Sequence, residues 1–335
     1  MKIKINVNPS YNVEIEKGLI DRSGLPEGFI ISDSNIYEKY VKFFIKDCMG
    51  HKRDRHIIAA GEKGKTLQNY TTIIERLGSN VEKITAFGGG VVGDLAGFVA
   101  STYKRGIDLI YVPTSLIGMV DSSIGGKNGV NVGELKNYAG TFYQPKQVLI
   151  DPIFLNSLPD EEFRNGIAEI VKYGAIFNKP KIERLKKGIK KIDVDLENIL
   201  VKCCEIKAEV IEEDEFDKGY RHTLNFGHTI GHAIELLYGL RHGEAIAIGM
   251  ANELRLGKHI GKVNKEKAEE TIDILKVNKL PTEFPSNMNI EKIMALMKQD
   301  KKGSLVFVFD KDNYNVQVEE KIVGDFLKNG NYQGN

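Results

Sequence analysis

Lys83-Ile-Thr-Ala-Phe87 runs directly into Gly88-Gly-Gly-Val-Val-Gly-Asp94, and that junction decides the fold. A short run with β-branched and aromatic residues reads as a strand, and the glycines after it open a helical pattern over residues 94–104. Gly88, Gly90 and Gly93 satisfy Gly-x-Gly-x-x-Gly between a strand and a helix, where free amides at a helix N-terminus can face a pyrophosphate. Glycines also serve plain tight turns, so the motif alone leaves both uses open. Working outward, further strands are expected at residues 29–32, 56–60, 108–112 and 147–151, with helices over 36–48 and 66–78 and a hairpin over 2–17. Strand then helix, repeated, predicts a mostly parallel sheet covered on both faces, with ligands bound at the carboxyl ends of its strands. Two of those ends carry Asp33 with Asn35 and Glu62 with Lys65, polar groups suited to the ribose hydroxyls of a dinucleotide.

From about Pro159 the pattern changes to successive amphipathic helices, broken only by a late pair of short strands at 304–309 and 315–318. The expected organisation is therefore a Rossmann-like α/β domain over residues 1–151 and a helical, metal-binding domain over 152–335. Chemistry concentrates in 222–244, which holds four of the seven histidines: His222, His228, His232 and His242. Residues 224–237 read as a helix with an apolar stripe at Leu224, Ile230, Ile234 and Leu237, so His228 and His232 project from one face. Spacing by four can present two imidazoles to one divalent metal, zinc being favoured, or give two hydrogen-bonded core histidines. His242, followed by Gly243 and Glu244, shifts the balance toward a metal.

Composition narrows the function. The 47 basic residues are offset by 46 acidic ones, a net charge of +1, which gives no electrostatic case for nucleic acid. No apolar run reaches membrane-spanning length, and Met1-Lys-Ile-Lys-Ile-Asn-Val7 alternates like a strand and not like a signal peptide, so a cytoplasmic protein with no membrane partner is expected. Cys48, Cys203 and Cys204 form no Cys-x-x-Cys pair and read as reduced residues. The lysine-rich run 181–191 reads as a solvated face or turn.

Residues 114–131 form a long stretch dense in glycine and hydroxyls, and it is expected to be a functional loop without regular structure. Within it, Asp121-Ser-Ser-Ile-Gly-Gly-Lys127 carries a resemblance, joined by Gly88 to Asp94, Tyr103-Lys-Arg-Gly106, Ala168-Glu-Ile-Val-Lys172, and 224–232 with His242-Gly-Glu244. These motifs resemble the 3-dehydroquinate synthases, members of the sugar phosphate cyclases, nearly end to end. The resemblance implies a dehydroquinate synthase-like fold and a shikimate-pathway reaction on a seven-carbon keto-acid phosphate. It implies zinc, with cobalt as a substitute, held by Glu169, His228 and His242, with His232 turned to the substrate. It places NAD contacts on Asp33, Asn35, Glu62, Lys65, Gly89, Gly90, Val91, Asp94, Thr114, Ser115, Lys127, Lys136, Phe154 and Ser157. Substrate contacts fall on Arg105, Lys127, Asn137, Lys207, Arg221 and Lys301 or Lys302, and catalytic roles on His232, Lys172, Asn225 and Asp121. A homodimer is also implied.

Three positions depart from the family pattern. Gly64 replaces an aromatic, which is expected to loosen adenosine packing; Ser115 replaces a threonine and Asp217 a glutamate. Other classes remain: a metal-dependent polyol or glycerol dehydrogenase, a cyclase for another sugar phosphate, or a nonenzymatic nucleotide-binding regulator. The dehydrogenase has no need of the cations Arg105, Lys127, Lys172, Lys207 and Arg221, and the regulator none of Glu169, His228 and His242 together. Several cations on one dianionic substrate favour the cyclases.

Overall fold

A computed structural model of the chain describes residues 1–45, 54–177, 182–191, 195–286, 288–298 and 304–329. Its strands are β1 (Lys2–Ile5), β2 (Tyr11–Ile15), β3 (Phe29–Asp33), β4 (Arg55–Ile58), β5 (Lys83–Gly88), β6 (Asp108–Pro113), β7 (Lys127–Val132), β8 (Leu135–Phe142), β9 (Gln147–Ile150), β10 (Ser304–Phe307) and β11 (Val316–Glu319). Among the described residues, seven of them form one sheet in the order β1-β2-β9-β6-β5-β3-β4. The β1–β2 hairpin is antiparallel, and the remaining pairings are parallel.

Burial explains why these strands read as unbroken apolar runs. In β5, Ile84, Ala86 and Phe87 are all fully buried, as a strand covered on both faces requires. The helix Gly90–Thr102 behind it is apolar nearly all round, with Val92, Leu95, Ala96, Val99 and Ala100 at 0% exposure.

Two compact units result: residues 1–163 with 191–216, and residues 164–190 with 217–335. The first contains the sheet, the β7–β8 hairpin and the helix Leu196–Glu213. In the second lie most of the helix Asp160–Phe177, then His228–Tyr238, His242–His259, Lys265–Val277, Ile290–Met297 and Glu320–Asn329, with the antiparallel pair β10–β11. Among the described residues no helix is long and apolar enough to cross a membrane.

Three expectations are corrected. Residues 114–131 are not free of regular structure: Gly118–Ser122 forms a π turn, and β7 pairs with β8 in an antiparallel hairpin. Glycines masked the strand, because Gly129 and Gly140 sit where the two backbones touch and a Cβ on Gly129 would lie 2.9 Å from the Ala139 carbonyl. The helix expected from residue 224 starts only at His228; Tyr220–Asn225 is a 3-10 turn, and Gly227, at φ 79, breaks the path between them. The helix over 36–48 is split at Tyr40 into Ser34–Lys39 and Val41–Ile45, its last residues lying outside the described ones.

Candidate active site

The glycine turn and its neighbours occupy the carboxyl ends of adjacent parallel strands. Gly88 to Gly90 leave β5 and open the helix Gly90–Thr102, with half-buried Val91 and Asp94 on its first turns. At the end of β6 the Thr114 N–H donates to the Gly88 carbonyl at 3.0 Å, and the Ser115 hydroxyl accepts the Gly118 N–H at 3.2 Å. Asp33 at the end of β3 caps the next helix, accepting the Ile36 N–H at 3.1 Å, and burial raises its carboxyl pKa. Asn35 is exposed beside it. After β4, the buried Lys65 ammonium lies 2.9 Å from Asp94 and 3.2 Å from Glu62. Burial disfavours its charge, yet the two carboxylates outweigh that and raise its pKa.

Some of the expected cofactor residues have other duties. Phe154, 1% exposed, packs its ring in an aromatic cluster 5.3 Å from Phe87 and 5.0 Å from Tyr40, and its carbonyl accepts the Ser157 hydroxyl at 3.2 Å. The Ser157 hydroxyl is 2.5 Å from that of Tyr40. Gly64 is buried, and a Cβ there would come 2.9 Å from the Ile58 side chain. Any side chain in that position would require the turn to move.

The cations and amides expected at the substrate are spread along both units. Lys127, Lys136 and Asn137 are all exposed on the β7–β8 hairpin. Arg105 and Asn137 both have positive φ, 68 and 53, a conformation that non-glycine residues adopt at a cost and that concentrates at functional sites. Buried Lys207, on the helix Leu196–Glu213, donates to the Asp121 carbonyl at 2.5 Å and to its carboxylate. In the second unit Arg221 is buried and Asn225 exposed in the 3-10 turn, and Asp217 takes φ 58 upstream of them. Lys301 and Lys302 lie outside the described residues.

Glu169, His228 and His242 come together, with one ligand atom from each within 4.8 Å of the others. Glu169, on the helix Asp160–Phe177, is fully buried, and His228 and His242 are each the first residue of their helix. The Nε2 atoms of His228 and His242 stand 3.8 Å and 3.3 Å from the same carboxylate oxygen, Oε1 of Glu169. Each ring is oriented from behind: His228 Nδ1 donates to the Phe226 carbonyl at 3.0 Å, and His242 Nδ1 to Glu235 at 3.0 Å. That turns both Nε2 atoms to the Glu169 carboxylate, where a cation would take the place of the proton that His242 Nε2 shares with Oε1 at 3.3 Å, the outer arrangement that metal-ligating histidines use. Two imidazoles and one carboxylate suit zinc, and three protein ligands leave a position for substrate. His232, exposed, forms a second group with Glu235 and His242. It has no buried carboxylate at its centre. Lys172 Nζ lies against Glu169 Oε2, both side chains being almost wholly buried.

His228 and His242 are pushed apart electrically. Burial, and then the Lys172 ammonium, hold His228 well below the ordinary imidazole value. Burial also disfavours charge on His242, but hydrogen bonds to Glu169 and Glu235 outweigh it and raise that ring to about 9. Metal-free protein therefore carries a proton on His242 at neutral pH and none on His228. A metal must displace the His242 proton, so apparent zinc affinity should rise roughly tenfold per pH unit up to about pH 9 and level off above it. Chelator competition at pH 7, 8, 9 and 10 checks this; a flat profile from 7 to 9 would contradict it.

Several groups at these sites escaped sequence reasoning. Tyr111 donates its hydroxyl to the Gly89 carbonyl at 2.8 Å, bracing the glycine turn from beneath. Glu235, behind His242, follows His228 by seven residues, two turns along the same helix face, and that spacing was a usable signal. Asn165 and Glu253 hold backbone amides, and nothing in their local pattern marks them.

The chain matches the family model described as 3-dehydroquinate synthase N-terminal over residues 55–165 and that described as 3-dehydroquinate synthase C-terminal over 166–303. It is 36% identical over 317 residues to the 3-dehydroquinate synthase of Synechocystis sp., covering 89% of this chain and 88% of that one. With the 3-dehydroquinate synthase of Desulforamulus reducens it shares 38% over 335 residues, 93% of each chain. Among solved structures, it superposes on a 2-deoxy-scyllo-inosose synthase complexed with carbaglucose-6-phosphate, NAD+ and Co2+ with a TM-score of 0.84, at 24% identity, covering 98% of this chain and all of that one. A 2-epi-5-epi-valiolone synthase from Streptomyces hygroscopicus, with NAD+ and Zn2+ bound, gives 0.82 at 24% identity, covering 95% and 96%. These two likenesses establish the fold. The identity to the curated relatives, sustained across almost all of each chain, goes further: this chain belongs to the 3-dehydroquinate synthase family.

Proposed function

We propose that this protein is a 3-dehydroquinate synthase, a phosphate lyase that converts 3-deoxy-D-arabino-heptulosonate 7-phosphate to 3-dehydroquinate and inorganic phosphate. The observation that carries the reading is the buried Glu169 carboxylate with His228 and His242 turned onto one of its oxygens, in a chain of this family. When bound, zinc (or cobalt) would supply Lewis acidity to a substrate hydroxyl and NAD a reversible hydride acceptor. Glu169, His228 and His242 would hold the metal. The Gly88–Asp94 turn, Asp33, Asn35, Glu62, Lys65, Thr114, Ser115 and Lys136 would bind the dinucleotide.

Transient oxidation acidifies the neighbouring C–H, phosphate leaves by β-elimination, the ketone is reduced again, and ring opening precedes an intramolecular aldol. Arg105, Lys127, Asn137, Lys207, Arg221 and a lysine of the 301–302 pair would grip the substrate's carboxylate and phosphate by charge-assisted hydrogen bonds. His232, Lys172, Asn225 and Asp121 would position hydroxyls and move protons. Much of the later chemistry needs only a correctly held substrate. On this reading the NAD-binding part lies within 1–151 and the metal-binding part within 152–335, and the enzyme acts in the cytoplasm as a homodimer, with no nucleic-acid or membrane partner.

The test follows phosphate and reduced nicotinamide in parallel, with zinc and substoichiometric NAD. One phosphate per substrate over many turnovers, with no accumulation of NADH, is expected. NADH rising in step with substrate loss, without phosphate, would overturn the reading in favour of a polyol dehydrogenase.

A further inference from the structure

His228 and His242 share a position: each is the first residue of its helix, and Gly227 and Arg241, which precede them, offer no side-chain acceptor to the helix amides, although Glu244 Oε2 accepts the Arg241 N–H at 3.3 Å. The N-terminal amides of a helix need acceptors, and Gly227, before His228, has no side chain to offer. Instead Glu253, fully buried on the helix His242–His259, accepts the Gly227 N–H at 2.8 Å on Oε2 and the Ile230 N–H at 3.2 Å on Oε1. For the second helix, the Asn165 amide oxygen accepts the Gly243 N–H. Asn165 stands on the helix Asp160–Phe177, one turn before Glu169.

The three ligand-bearing helices are thus linked in series. The helix of Glu169 grips the start of the helix of His242, and the helix of His242 grips the start of the helix of His228. Glycines allow this closeness: a Cβ on Gly227 would meet the Met250 amide nitrogen at 2.9 Å, and one on Gly249 the Gly231 nitrogen at 2.9 Å. With backbones in contact, a small shift at either cap moves a ligand histidine directly.

We propose that Glu253 and Asn165 are positioning residues for the metal centre, caps contributed by a neighbouring helix that set where His228 and His242 stand relative to Glu169. The proposal rests on the metal reading given above. Neither side chain would touch the metal; each would act through the backbone of the residues around the ligand it places. Their loss should therefore alter metal affinity and coordination geometry, and not merely stability.

The experiment uses the full chain loaded with Co2+, whose visible spectrum reports coordination, together with zinc affinity by chelator competition and a melting curve. Asn165→Ala and Glu253→Gln should each weaken zinc roughly 10- to 100-fold, the range for groups that orient metal ligands, and shift the Co2+ bands. Asn165→Asp keeps an acceptor for the Gly243 amide and should restore most of the affinity. As a structural control, Asn278→Ala removes buried bonds to Leu185 and Ile189 in the same unit. It should lower the melting temperature while leaving the zinc affinity and Co2+ bands of the wild type. Folded Asn165→Ala and Glu253→Gln proteins with wild-type affinity and spectrum would overturn the proposal. Should Glu253→Gln not fold, Asn165→Ala decides. A wild-type protein that bound neither ion would instead sink the metal reading itself.

Discussion

His228→Ala and His242→Ala are each expected to lose bound zinc and, with it, turnover, by more than the roughly 10- to 100-fold that loss of a group behind a ligand costs. The reason is geometric. Both Nε2 atoms point at one oxygen of a fully buried carboxylate, and each ring is held from behind by an acceptor that turns that nitrogen to the carboxylate. His232→Ala should behave differently, keeping zinc while slowing turnover by roughly 10²- to 10⁴-fold, as expected for a group that transfers protons. Metal analysis of the three purified variants decides between the two clusters. Zinc retained in His228→Ala but lost in His232→Ala would move the centre to His232, Glu235 and His242, the other group whose ligand atoms converge.

Lys172→Met carries the second large effect, this time on stability. Lys172 and Glu169 are 2% and 0% exposed and form an ion pair one turn apart on the same helix. Removing the ammonium leaves the buried carboxylate with the protonated His242 ring as its one cationic neighbour among these groups, and breaking a buried pair from one side typically costs about 3–5 kcal/mol. In the metal-free protein the variant should unfold at markedly lower denaturant. Zinc supplies the missing positive charge next to Glu169, so saturating metal should recover much of the loss. Urea titrations of wild type and variant, with and without zinc, make the comparison. A difference below about 1 kcal/mol without metal, or one that zinc leaves unchanged, would show that the pair does not compensate the buried charge.

Strand positions were legible because the signal is local. Residues 83–87, 108–112 and 147–151 were expected as strands, and β5, β6 and β9 fall within one residue of them at each end. The β7–β8 hairpin was not legible: its strands are rich in glycine and polar groups, and their pairing is a property of two backbones touching at Gly129 and Gly140. Nor could the sequence show that residues 191–216 group with 1–163, since that depends on where a helix packs and not on its own pattern.

Around Glu169, His228 and His242 the division is sharper. Taken by itself, the sequence determined which donors exist, and that His228 and His232 share a helix face, because spacing by four is a local consequence of 3.6 residues per turn. The family resemblance named Glu169, His228 and His242 as a set, but spacing could not separate His228 from His232. Tertiary structure decided their surroundings. Gly227 starts the helix at His228, the Phe226 carbonyl turns that ring, and a carboxylate from another helix, 59 residues earlier in the chain, meets its Nε2. A side chain's aim depends on acceptors and backbones that approach only after the chain has folded. No periodicity along the sequence records them.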